Sequence, residues 1–412
     1  MRRWTDRIHD RNIWLVYWAI FLLGIGYGVS IALTALHLDA RGYTKQNIAT
    51  LASWFASGII LFSIPMGAIL RRFTAKRTLA VSLFGYAVCV TAFPLFHSYA
   101  GIALARFFDG AFSVGIWVSC ETILLTRADK KNKAFVMSLY AMAMAIGYIL
   151  GPIAARVIVV VASMQAAFAT SGVISTFAGL LVLMKLDQDL AQTPEERSKN
   201  LSTTTAWTLL HSIKTSCFAT FAYGYFQVSV VLFLPLFLIE SKGITRDQTI
   251  LIPAFFAVGM LLFSNVAGRL GDRFGHLLLM RVLGAIGTMM IVGFVVLSSY
   301  AAMCGAVFVA GATLANISPV SLALQGVIVQ PQDYSRSNAI YNVFYAGGML
   351  TGPLASSFIF GRSGGGAMLV HLAMMWTSFV VFTWAFANDD PRRLSERSTE
   401  AVRSAARDEA TS

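Results

Sequence analysis

The sequence predicts an all-α polytopic membrane protein, twelve transmembrane helices arranged as two pseudo-symmetric six-helix bundles. Three observations predict it. The 412-residue chain is 57% hydrophobic and 13% charged, where soluble domains carry about 25% charged residues. Twelve apolar stretches punctuate it, most of them long enough for the ~20-residue helix that crosses a bilayer core. Short motifs also recur at one interval of 201 residues. Gly67 in Gly67-Ala68-Ile69-Leu70-Arg71-Arg72-Phe73 is echoed by Gly268 in Gly268-Arg269-Leu270-Gly271-Asp272-Arg273-Phe274 (268 − 67 = 201). Gly147, Gly151 and Pro152 are echoed by Gly348, Gly352 and Pro353, and Arg41-Gly42-Tyr43-Thr44-Lys45 by Lys242-Gly243-Ile244-Thr245-Arg246, in the same register. Such symmetry points to a transporter.

Taken in order, the stretches of the first half begin near residues 13, 48, 77, 99, 134 and 164. Those of the second begin near 215, 250, 277, 301, 338 and 367. They are continuous apolar runs without the period-two alternation of a membrane barrel, so they read as helices. The first run is long and lacks a small-residue cleavage site, which reads as a signal anchor. A polar interval, 187–206, holds Glu195, Glu196, Arg197 and Lys199 and separates two apolar blocks. The organisation is therefore 1–186, a first six-helix bundle; 187–206, a cytoplasmic linker; 207–388, a second bundle; and 389–412, a charged tail without aromatic residues.

A net charge of +12 raises the possibility of nucleic-acid binding, which the placement of the charges rejects. The basic residues gather before the first helix (Arg2, Arg3, Arg7, Arg11), after the second (Arg71, Arg72, Lys76, Arg77) and after the fourth (Arg127, Lys130, Lys131, Lys133). The connections His97-Ser98-Tyr99 and Ser298-Ser299-Tyr300 have no Lys or Arg. By the positive-inside rule both termini are cytoplasmic, and the expected location is a bacterial inner (plasma) membrane. Cys89, Cys120, Cys217 and Cys304 are scattered singly, which fits neither a disulfide framework nor a metal cluster. No nucleophile–base pair appears, so an enzyme is not expected, and no cofactor is implied.

The layout resembles the major facilitator superfamily over nearly the whole chain. Gly268-x-x-x-Asp272-Arg273-x-Gly275 resembles that family's loop motif between the second and third helices of a half, and this implies a conformational latch. The copy containing Gly67, Arg71 and Arg72 departs from the pattern, with Arg71 at the acidic position and Thr74 at the second glycine. Gly147-x-x-x-Gly151-Pro152 resembles the fifth-helix motif of proton-driven antiporters. From the residues alone it is a close helix-packing seam with a kink, repeated at Gly348, Gly352 and Pro353.

The fourth helix carries Arg106-Phe107-Phe108-Asp109-Gly110 and then Ile116-Trp117-Val118-Ser119-Cys120-Glu121. Each ionisable group in a spanning segment costs roughly 3 kcal/mol if it faces acyl chains, so these three need a cavity or a seam. At 100° per residue, Arg106, Gly110, Ser113, Trp117 and Glu121 share a stripe, and Asp109 is placed for an intrahelical pair with Arg106. The fragment resembles the YcaD-like branch of the superfamily, which pairs an Arg-Phe start with a Trp-Val-x-x-Glu finish. Ser337-Asn338-Ala339 resembles that branch too. Arg106 keeps its proton, so it is an anion partner or an electrostatic tuner. Glu121 is either the proton carrier or a substrate contact, or else a structural partner of Arg127 or Lys130.

The second half carries almost no intramembrane charge. Its candidate solute contacts are Tyr223 and Gln227, Asn316, and Tyr341, Asn342 and Tyr345, joined from the first half by Trp117 and Tyr140. Helix-to-helix hydrogen bonding is the alternative for each. The function expected is secondary active transport of a small amphipathic or hydrophobic organic solute by alternating access, with proton-coupled efflux first and uptake second. A lipid flippase or a non-transporting receptor is the third reading. The expected partners are the solute, a coupling proton and the bilayer, with the chain a monomer.

Overall fold

The computed structural model describes residue 8 and residues 10–128, 133–188, 205–329 and 333–385, with only the backbone placed at 64, 67, 68, 71, 133–135, 138, 272 and 334–336. Most of the linker, the charged tail and the Arg2, Arg3, Arg7 and Lys130 positions lie outside the described residues. Among the described residues the regular structure is helical, without a strand. The first half comprises α1 (Arg11–Ala40), α2 (Lys45–Phe73), α3 (Ala75–Ala92), α4 (Tyr99–Arg127), α5 (Lys133–Val161) and α6 (Met164–Lys185). A short helix, Ala206–Ser212, leads into α7 (Lys214–Lys242), α8 (Ile252–Phe274), α9 (His276–Val296) and α10 (Tyr300–Ile328). The helical run Tyr334–Ala385 is broken at Gly364, where φ is 85°, into α11 (334–363) and α12 (365–385).

The repeat read from the motifs governs the helix bounds as well. Tyr99–Arg127 maps onto Tyr300–Ile328 with 201 at both ends (300 − 99 and 328 − 127). Ala75 maps onto His276, and Met164 onto the residue after the Gly364 break. α2 corresponds to α8 plus the four-residue turn Arg246–Thr249 that precedes it. The caps repeat too: Thr44 accepts from the Asn47 amide at 3.2 Å and Thr245 from the Gln248 amide at 3.4 Å, each satisfying an orphan first-turn donor. Among the described residues ten spans are long and apolar enough to cross a membrane, α11 and α12 being counted together. The Ser53, Ser57 and Ser63 hydroxyls of α2 donate to main-chain carbonyls one turn back. This helix stands against α11 of the other half, and the Ser53 hydroxyl also donates to the Leu350 carbonyl at 3.0 Å.

Lipid is as apolar as a leucine side chain, so the hydrophobic effect does not hold these helices together; close backbone packing does. In the first half Gly24 and Gly28 of α1 face Gly147 and Gly151 of α5. A Cβ on Gly147 would stand 2.7 Å from the Gly24 Cα, and one on Gly151 2.5 Å from the Gly28 Cα. In the second half Gly348 and Gly352 of α11 press on the backbone of Phe221 and Tyr225 in α7. The α2–α4 crossing repeats in α8–α10: Gly58 meets the Phe107 carbonyl and Gly259 that of Phe308, while Gly110 meets the Phe55 carbonyl and Gly311 that of Phe256. The halves meet through α2 on α11, α5 on α8 and α1 on α7.

On the face where α1 begins, here the terminal face, a polar clasp closes the first half. Asp10 caps α1 by accepting from the Asn12 amide at 2.8 Å and receives Arg127, at the end of α4, at 3.2 Å. The Asn12 side chain donates to Asp187 and accepts from its amide, both at 2.9 Å. Partial burial opposes ionisation of Asp10, but the hydrogen bonds from Asn12 and the Arg127 guanidinium outweigh it and hold the carboxyl below its ordinary range.

Candidate functional site

A cavity of about 90 Å³ lies between the halves. Gly28 and Ile31 of α1 and Tyr148 of α5 wall it from one side; α7 supplies Tyr223, Phe226 and Gln227, and α8 supplies Phe256 and Met260. Its lining is apolar except for two phenols and one amide. The volume is well below the roughly 300–1,000 Å³ of a ligand site, so a solute enters only as the halves part.

Among the residues singled out as solute contacts, Tyr223 and Gln227 line this cavity. Tyr345 stands behind them: its hydroxyl donates to Gln227 Oε1 at 2.6 Å and its ring stacks on Tyr223 at 6.1 Å. That contact holds the amide in one orientation, with its NH₂ end turned from the phenol. The structure does not bring the others to the same wall. Asn316 is fully buried in α10 and donates to the Ala312 carbonyl at 2.9 Å. Tyr341 is buried with its hydroxyl 2.8 Å from that of Ser318, and Asn342, on the next helical position, is exposed. Trp117 is half-buried against the Tyr27 ring at 6.4 Å, and Tyr140 is half-buried in α5. His371 meets the Tyr225 hydroxyl at 2.6 Å, a bond between α12 and α7.

The charged groups of α4 divide between two environments. Arg106 and the buried Asp109 form an ion pair at 2.5 Å, and the guanidinium lies 4.5 Å above the Phe55 ring of α2. Among the described residues the second carboxylate oxygen of Asp109 has no hydrogen-bond partner. Four residues on, Ser113 donates to the Asp109 carbonyl at 2.7 Å and bonds the Tyr27 hydroxyl of α1. Tyr27 packs on Tyr86, whose hydroxyl is 3.1 Å from Ser30. This buried polar core of the first half was legible only in part, because Tyr27, Ser30 and Tyr86 lie in the apolar middle of their helices, away from any charged neighbour in sequence. Glu121 stands about three helical turns beyond Asp109, nearer the terminal face, half-buried, with no ion-pair or hydrogen-bond partner among the described residues. Arg127, one of its alternative partners, is engaged by Asp10 instead. The stripe along α4 therefore faces a seam at Gly110 and Ser113, and Glu121 is half-buried towards its terminal-face end.

The latch motif ends α8 at Gly275, where φ is 101°. Its counterpart Thr74 takes the same left-handed backbone, φ 67° and ψ 152°, a region nearly reserved for glycine. Arg72 lies over the Phe73 ring at 5.4 Å and Arg273 over Phe274 at 5.2 Å, again one repeat apart. A Cβ on Gly268 would meet nothing within 4 Å, so this glycine is not needed for packing in this conformation. The contacts of Arg71 and Asp272, and the surroundings of Gly67, lie outside the described side chains.

Comparison with known proteins follows the same two-half division. The family model for the Major Facilitator Superfamily matches residues 13–216 and again 216–410. The uncharacterized MFS-type transporter YcaD of Shigella flexneri serotype 5b is 22% identical over 386 residues, 93% of this chain and 98% of YcaD. The uncharacterized MFS-type transporter YfkF of Bacillus subtilis is 21% identical over 346 residues, 82% of this chain and 86% of YfkF. A mutant of the nucleoside transporter NupG shares the fold with a TM-score of 0.77 at 13% identity, covering 91% of this chain and 99% of its own. A bacterial homologue of the human lysosomal transporter Spinster, solved inward-facing and occupied, gives 0.74 at 12%, covering 92% and 97%.

Proposed function

Because the chain belongs to the Major Facilitator Superfamily, a family of transporters and not of enzymes, we propose that it exports a small amphipathic or hydrophobic organic solute in exchange for protons. One observation carries this reading: the cavity between the halves is apolar, with Tyr148, Tyr223 and Gln227 as its polar groups. A solute with a large apolar surface and one or two hydrogen-bonding groups fits such a wall; a sugar or a dicarboxylate leaves too many polar groups unpaired. Tyr345 is a positioning residue in this scheme, since it fixes the Gln227 amide. Tyr341 and Asn316 brace α10 and α11, and Trp117, Tyr140 and Asn342 are reached by solute as the pathway opens.

Coupling rests on Glu121. A carboxyl that takes up a proton loses its charge and tolerates a closed apolar surround; one that gives it up needs water. Among the described residues Glu121 has no partner to fix its charge, so its charge state follows the state of the pathway. Arg106 and Asp109 set the local field, and the orphan oxygen of Asp109 leaves that pair able to accept a donor in another conformation. The motif from Gly268 through Asp272 and Arg273 to Gly275 latches the terminal face in the opposite state, with Gly67, Arg71 and Arg72 a weaker copy. The seams at Gly147, Gly151 and Pro152, and at Gly348, Gly352 and Pro353, are the surfaces on which each half stays rigid as it rocks. The proposal places a monomer in a bacterial inner membrane with both termini in the cytoplasm, as the distribution of Lys and Arg requires.

The test is transport in proteoliposomes under an imposed pH gradient, using solutes found by a thermal-shift screen. Glu121→Gln is expected to lower proton-driven flux by about tenfold or more, while solute–solute exchange continues. Full proton-driven flux in Glu121→Gln removes the carrier assignment, and solute accumulating down the proton gradient makes the protein an uptake system.

A further inference from the structure

Asp39 and Glu240 stand one repeat apart (240 − 39 = 201), and so do Lys45 and Arg246 (246 − 45 = 201). In the fold these four meet crosswise. Lys45 Nζ is 2.8 Å from Glu240 Oε1, and Arg246 Nη2 is 3.1 Å from Asp39 Oδ2. Each bridge takes its acid from one half and its base from the other, and each is the image of the other under the internal repeat. The loops that carry them turn on glycine at the same place: Gly42 at φ 79° and Gly243 at φ 66°. Acid, glycine and base thus follow at three-residue steps in both loops. A third bridge joins Arg156 of α5 to Asp247, with Nη2 2.6 Å from Oδ2 and Nε donating to both carboxylate oxygens at 3.0 and 2.9 Å. Its image positions are Gln46 and Ser357 (247 − 46 = 357 − 156 = 201). These carry no charge and border an open gap with Phe358 and Arg362.

We propose that these six charged residues are the reversible barrier of the face remote from the termini, made when the central cavity opens towards the terminal face and broken as a set when the halves rock. The inference rests on the alternating-access reading of the fold. All three bridges span the halves, so none survives their separation at this face. They also lie directly over the cavity: α1, which ends at Asp39 and Ala40, supplies Gly28 and Ile31 to its wall, and Ile252 and Pro253 follow shortly after Asp247. Their strength suits a gate. The side chains are 26–47% exposed, and a partly exposed bridge shifts an equilibrium about two- to fivefold. Three together bias the closed state by roughly ten- to a hundredfold, which a proton or a solute is able to reverse. A buried network of the same residues would lock the face shut. The gap at Gln46 and Ser357 makes the barrier lopsided, so separation starts on the α2–α11 side.

The test follows labelling of an engineered Ile31→Cys by a membrane-impermeant maleimide applied to the far face. The four native cysteines are buried, which keeps the background low. Lys45→Glu alone, or Glu240→Lys alone, is expected to raise the labelling rate about tenfold by setting like charges together. The double exchange is expected to return the rate to within about twofold of the parent. Gln46→Asp with Ser357→Arg, which installs the missing fourth bridge, is expected to slow labelling below the parent. Glu240→Gln removes one bridge without opposing like charges and covers the case where a reversal does not fold; its rate should rise about two- to fivefold. Labelling that ignores the single reversals and Glu240→Gln, or that is not restored by the exchange, overturns the gate. The assay contains neither solute nor proton gradient, so it can fail while proton-coupled export stands, and it can succeed in a protein that exports nothing.

Discussion

At the scale of single residues, Thr74 shows how the fold overrides local preference. A β-branched residue at φ 67° and ψ 152° sits in a region that costs a non-glycine residue about 1–3 kcal/mol. It is held there because α2 must turn directly into α3 within one residue, as α8 turns into α9 at Gly275. Thr74→Gly is expected to stabilise the protein by about 1 kcal/mol, seen as a higher midpoint in detergent melts; an unchanged or lower midpoint contradicts the strain. The sequence already marked Thr74 as a departure from the repeat, but only the backbone shows that it pays for the missing glycine in strain. Charge was the most legible signal in the candidate site. Arg106 and Asp109 are paired as their three-residue spacing requires. What escaped notice were Phe226, Phe256 and Met260 of the cavity wall, because an apolar residue facing a cavity reads no differently from one facing lipid. Asn316 and Tyr341 were visible for the opposite reason: polar atoms in apolar helices attract attention even where they bond their own bundle.

At the scale of elements, glycine placement separates seams from switches. Gly151 of α5 stands so near the Gly28 Cα that a methyl group requires α1 and α5 to part. Gly151→Ala is therefore expected to cost about 1–3 kcal/mol. Gly268→Ala has free space around it in this conformation, and its effect on the melting midpoint should be within about 0.5 kcal/mol. Equal losses from the two substitutions would refute the distinction. The helices themselves were legible to within a few residues, because each apolar run ends at a polar turn: Ser98 caps α4 and Ser163 caps α6. The boundary between the stretches beginning near 338 and 367 falls at Gly364. The turn Arg246–Thr249, which detaches from α8 just before Pro253 in the first turn of that helix, was not legible, because it carries no hydropathy signal.

At the scale of the whole molecule, one interval of 201 residues sets helix ends, cap positions, glycine crossings and the crosswise ion pairs. The halves are alike in framework and unlike in chemistry. The first keeps Arg106, Asp109 and Glu121, while the positions one repeat on from Arg106 and Asp109 are Val307 and Ala310. In the proposed scheme that asymmetry leaves the proton to the first half, while Tyr223 and Gln227 of the second half meet the solute together with Tyr148 of the first. All of it requires the halves to move as units about the central cavity. The most direct measurement uses spin labels at two pseudo-equivalent pairs, His97 with Ser298 on the far face and Phe73 with Phe274 on the terminal face, all exposed. Distance distributions recorded across a pH series should show two populations, the far-face separation lengthening as the terminal-face separation shortens. A single population at every pH, or two separations that lengthen and shorten together, would contradict the account.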